Sequence, residues 1–99
     1  MKLTFIIYYE HMDTQVMAML KALDIDYYTR WSHVTGKGHG TEPHIGTGSY
    51  VRTNSALMIA FEDDAPRVAL MQLIVAANEQ ARRPDERIRF FQVPLEHLV

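Results

Sequence analysis

The segment "LTFIIYYE" (3–10) constrains this chain more than any other, because β-branched and aromatic residues occupy both of its alternating faces. It is too short for a buried helix and reads as a strand. A strand that is apolar on both sides needs cover on both sides, which places it in the centre of a sheet. The N-terminus "MKLTFIIYYEHMD" has one lysine, a short apolar run and no small-residue cleavage site, so it is not expected to be a signal peptide.

The rest of the chain supplies partners for that strand. Asp13 is expected to cap a helix over 14–23, whose apolar stripe is Val16, Met19, Leu20 and Leu23. "YYTRWSHV" (27–34) alternates and reads as a second strand. "TNSALMIAFE" (53–62) reads as a third, with Leu57, Ile59 and Phe61 on one face. "DDAP" then opens a helix, because acidic residues and proline suit a first turn. That helix carries Val68, Met71, Ile74, Val75 and Ala77 and is expected to end near "ARRP", with arginines in its last turn. "RIRFFQV" (87–93) is the fourth strand.

The resulting order is β-α-β-β-α-β. Right-handed crossovers put both helices on one face of a four-stranded antiparallel sheet, the ferredoxin-like α+β arrangement. The first and third strands are also apolar on the other face, so that face is expected to meet another subunit. With 99 residues, the chain is expected to form a single domain over 1–99 with a small core that an oligomer interface would supplement.

All five glycines fall between positions 36 and 48, in "GKGHGTEPHIGTG". A hairpin closes with two to five residues. The connection over 36–52 is much longer, which marks it as a loop with a task of its own or a disordered one. Alternating glycines at 36, 38 and 40 let backbone approach a ligand closely, and successive N–H groups there can cradle an anion. The order of residues fits neither a Walker loop nor a dinucleotide fingerprint. The base of the loop, Gly36, Lys37, Gly38 and His39, is therefore read as facing an anion. The tip, with Gly40, Thr41, Glu42, His44 and Tyr50, is read as facing a protein partner.

Charge supplies further candidates and exclusions. Arg82, Arg83, Arg87 and Arg89 crowd together around "PDE", and guanidinium forks match phosphate oxygens. The competing reading is complementation of the helix end and pairing with Asp85 and Glu86. His33, His39 and His44, with Glu42, are candidate ligands for a divalent metal, although their spacing fits no zinc pattern. A formal charge of -2 offers no basic excess for counterion release, which argues against a nucleic-acid partner. The absence of cysteine excludes disulfides, thiolate metal sites and cysteine nucleophiles, and it fits a cytoplasmic location. No apolar run approaches the roughly 20 residues needed to span a bilayer.

Taken together, "HVTGKGHGTEPH", "ALMIAFEDD" and "RFFQVPLEHLV" resemble the PII signalling family and its PII-like relatives. Val34, Gly36, Gly38 and His39 stand where that family opens its long T-loop, Asp63 and Asp64 match its acidic pair, and Arg89 stands where it keeps a phosphate-binding lysine. The resemblance implies a homotrimer with an effector, ATP, ADP or AMP, in clefts between subunits. Gly36, Lys37, Gly38 and His39 would line its phosphates, and Arg89 with Arg87 would meet them from a neighbouring subunit. It also implies a T-loop that docks on a protein target, such as a membrane transporter, and a regulatory protein that is not an enzyme. The family's G-x-G-K turn is replaced here by "PDERIR", so a divergent PII-like protein tuned to another nucleotide, an anion or a metal is the better fit.

Two other classes share the fold. One is a metal-responsive CutA-like trimer that uses the loop histidines. The other is a small ferredoxin-like enzyme with His33 or His39 as general base, for which no acid–base spacing stands out.

Overall fold

The computed structural model describes residues 1–37 and 53–99. Its elements run β1 (Lys2–Tyr9), α1 (Asp13–Ala22), β2 (Thr29–Val34), β3 (Asn54–Phe61), α2 (Asp64–Glu79) and β4 (Arg89–Pro94). Short 3-10 turns at Glu10–Met12 and Pro84–Glu86 precede α1 and β4. The four strands form one antiparallel sheet in the order β2-β3-β1-β4. This is the ferredoxin-like arrangement, with the doubly apolar β1 inside the sheet.

The core lies between the sheet and the helices. Ile6 and Tyr8 of β1, with Leu57, Ile59 and Phe61 of β3, meet Val16 and Leu20 of α1 and Leu70 and Ile74 of α2. Period-two alternation therefore sends one set of each strand's residues to the helices. The other set, including Leu3, Phe5 and Ile7 on β1 and Ala56 and Met58 on β3, faces away and is only partly covered. On the flanking strands the open face carries Trp31, Phe91 and Val93, which are 45%, 50% and 47% exposed. No helix among the described residues is long and apolar enough to cross a membrane.

Three local expectations are corrected. Asp13 does not cap α1; it is the first helical residue, because the 3-10 turn delivers the chain already coiled. Its carboxylate instead accepts from the Tyr8 hydroxyl at 2.6 Å and pairs with Arg30 at 3.2 Å, tying α1 to two strands. Burial and the neighbouring Asp13 carboxylate push the Tyr8 hydroxyl well above its ordinary pKa. Second, α2 ends at Glu79 with no basic residue in its last turn, so Arg82 and Arg83 belong to the turn beyond it. Third, the buried stripe of α2 is Arg67, Leu70 and Ile74, while Val75 is 52% exposed. The stem of Arg67 fills a core position, and its head donates from Nη1 to Gln92 at 2.7 Å and from Nη2 to Asp64 at 3.1 Å.

Strand polarity sorts the charges. β3 begins beside the long connection and ends at Phe61, just before Glu62 and Asp63, where the ring of Tyr27 meets Phe61 at 5.9 Å. β4 begins at the connection end, with Arg89 opposite Ile7. Arg87, Arg89 and Lys37 thus lie at one end of the sheet, with Glu10, and Asp26, Glu62 and Asp63 at the other, with Lys2.

Candidate functional site

The sheet register builds a cleft at the end where the long connection leaves. Trp31 on β2 faces Ala56 on β3, Ala56 faces Ile7 on β1, and Ile7 faces Arg89 on β4. These four residues form a row across the open face with an aromatic at one side and a cation at the other. The small Ala56 side chain leaves depth in the middle. Gly36 and Lys37 close the rim of the cleft, which encloses about 510 Å³. Gly36 lies close to Asn54, since a Cβ there would stand 3.2 Å from its Nδ2.

A second cavity of about 350 Å³ adjoins the first, because Arg89 lines both. Its other walls include Arg82, Arg83, Pro84 and Arg87. Arg83 is paired with Asp85 at 3.3 Å. The side chains of Arg82, Arg87 and Arg89 have no carboxylate partner among the described residues. The four arginines outnumber the carboxylates beside them, Asp85 on Arg83 and Glu86 on the Arg82 N–H at 3.2 Å, and the excess of guanidinium charge favours an anion between them.

Local structure fixes these arginines. Ile88 is 2% exposed and anchors the chain, so Arg87 and Arg89 on either side of it both turn outward. The Asn78 side chain holds Ile88 by both backbone groups, donating from Nδ2 to its carbonyl at 2.8 Å and accepting from its N–H at 2.7 Å. That paired contact replaces the strand neighbour which the chain lacks before β4 begins.

A further cluster stands where β2 ends and β3 begins. Glu10 Oε1 accepts from the backbone N–H of His33 and from its Nδ1, each at 2.7 Å. Oε2 accepts from the Thr53 hydroxyl, and the Glu10 N–H donates to the Thr53 carbonyl at 3.1 Å. His33 sits in an irregular stretch of the β2–β3 ladder at φ 58, a left-handed conformation that residues with a Cβ adopt rarely.

The structure places Gly36, Lys37, Arg87 and Arg89 at one end of the sheet. Gly38, His39, Gly40, Thr41, Glu42, His44 and Tyr50 lie outside the described residues. Of the candidate metal ligands only His33 is described, and its Nδ1 is engaged by Glu10. Among the described residues no group of three His, Cys, Asp or Glu side chains is placed to hold a metal ion. Sequence reasoning missed Glu10, Asn78 and Trp31 as parts of this region. Only the placement of Trp31 on an alternating strand gave any hint of it.

Neither the family models nor the curated proteins contain a match to this chain. Among solved structures it resembles a protein of Thermus thermophilus described as a candidate PII-like signalling protein. The likeness covers 93% of this chain and 82% of that one, with a TM-score of 0.57 and 15% sequence identity. At that identity the two share a fold.

Proposed function

We propose that this chain is a regulatory protein of the PII-like kind, which binds an anionic effector at the cleft and signals through the connection over 36–52. The observation that carries this reading is the convergence of Lys37, at the root of that connection, with Arg89 on one cleft that continues into an arginine-lined cavity. An anion bridging the two would link occupancy of the site to the segment that meets a partner. Adenine nucleotides are the first candidates, since a planar base suits the Trp31 end and phosphates suit the cations. The target is a protein, for which a membrane transporter is the leading case, and the location is cytoplasmic. No catalytic role is assigned.

Homo-oligomerisation belongs to the same proposal. The open sheet face is apolar at its centre, basic at one end and acidic at the other, where a cavity of about 410 Å³ is lined by Tyr27, Glu62 and Asp63. A second copy laid head to tail would match opposite charges and bury the aromatic centre. Such a contact repeats until a ring closes, and the proposed ring is a trimer.

Thermal denaturation with ATP, ADP, AMP, bicarbonate and zinc tests the effector. A ligand at a hundredfold excess over its Kd stabilises by about 2.7 kcal/mol, which raises the Tm of a domain this size by roughly 10 °C or more. Arg89→Ala is expected to weaken nucleotide binding roughly ten- to a hundredfold, the worth of one charged hydrogen-bonding group. If no nucleotide moves the Tm while zinc raises it, the nucleotide reading is wrong and the metal-responsive alternative replaces it.

A further inference from the structure

The Glu10 carboxylate stands on neither cleft, yet it holds both points between which the long connection is strung. It takes the backbone and side chain of His33 with one oxygen and the Thr53 hydroxyl with the other. Three residues beyond His33 is Gly36, packed against Asn54, and Asn54 directly follows Thr53. Gly36, Lys37 and Asn54 all line the cleft that contains Arg89. The ladder between β2 and β3 is irregular between Trp31 and Val34, so strand pairing alone does not fix where the chain goes next. His33 holds a left-handed backbone conformation there, which needs support from outside the strand.

We infer that Glu10 is a positioning residue for the anion cleft, a latch whose hydrogen bonds to His33 and Thr53 set Gly36 and Lys37 at the rim opposite Arg89. This rests on the effector reading above and deepens it. The latch acts through geometry and against its own charge. A carboxylate near a site for anions repels them through space, so deleting it would tighten anion binding if charge were its only influence. Deleting a positioning group weakens binding instead. Glutamine at the same place separates the two effects, because its carbonyl still accepts from His33 and its amide still reaches Thr53.

The test compares wild type, Glu10→Ala and Glu10→Gln by titration with ATP and with sodium tripolyphosphate. Emission of Trp31, the chain's one tryptophan and a wall of the cleft, is recorded before ligand is added. Glu10→Ala is expected to bind both anions at least tenfold more weakly and to shift the ligand-free emission. Glu10→Gln is expected to restore both to wild-type values or to bind more tightly. An alanine variant that binds as tightly as wild type, or more tightly, overturns the inference. If wild type binds neither anion, the effector reading fails by itself. The ligand-free emission then decides the latch, and an unchanged spectrum in Glu10→Ala overturns it. Should that variant not fold, Thr53→Val, which removes the bond to Oε2 alone, is read by the same criteria.

Discussion

At the scale of single residues, Glu10 shows how competing influences settle a charge. Its partial burial favours the neutral acid. The Thr53 hydroxyl, the His33 N–H and the charges of His33 and His11 outweigh that, and its pKa lies below the ordinary 4.5. A carboxylate with a depressed folded pKa stabilises the fold above its unfolded pKa and loses that contribution as the pH falls through the folded value. Wild type should therefore resist urea better than Glu10→Ala at about pH 7, and the difference should shrink on acidification to about pH 3. Equal differences at the two pH values would mean that the carboxylate's charge adds nothing to stability. None of this was legible from sequence, because the partners of Glu10 are 23 and 43 positions away. The same limit explains Asp13. A short acidic side chain before an apolar stripe predicts a cap, but Tyr8 and Arg30 compete for that carboxylate once the sheet forms.

At the scale of elements, periodicity did most of what can be asked of it. The strand "LTFIIYYE" lies inside the sheet as its two apolar faces require, and Leu57, Ile59 and Phe61 share the core face. Helix α2 was harder: Ile74 of the expected stripe is buried, but Leu70 and Arg67 take the other buried positions in place of Val68, Met71 and Val75. Which of them faces the sheet is decided by Arg67, a charged residue that takes a core position because Gln92 and Asp64 receive its head. The link from α2 to β4 makes a separate prediction. Asn78→Ala removes both bonds to Ile88, one donor and one acceptor in partly buried surroundings, at a cost of about 1–3 kcal/mol. Its melting temperature, followed by circular dichroism, should fall by roughly 5–15 °C. Its affinity for tripolyphosphate should fall as well, because Arg87 and Arg89 flank the residue that has been released. A melting temperature equal to wild type would show that β4 pairing alone orients the arginines.

At the scale of the whole molecule, the open face is the apolar surface that the chain leaves only partly covered. Sequence patterning foresaw it, since β1 and β3 are apolar on the side away from the helices. The separation of charge along that face was not foreseen, because it depends on which ends of β2, β3 and β4 the fold brings together. Phe91 lies beside Phe5 on that surface and is half exposed. Phe91→Glu would bury a carboxylate in the interface of the proposed ring, so light scattering should find monomers for this variant and, on that proposal, trimers for wild type. A wild-type protein that is monomeric at micromolar concentration would instead remove the ring from the proposal.

The latch at Glu10 also bears on how such a protein can diversify. Because His33 and Thr53 are tied to the same carboxylate, the sheet is finished at those two points whatever chain runs between them. Closing a chain between two fixed ends costs only about 0.6 kcal/mol more for each doubling of its length. Insertions and wholesale replacements between Lys37 and Thr53 are thus among the cheapest changes open to this fold. One frame can carry different segments at that place, while the residues that hold the neck stay under constraint.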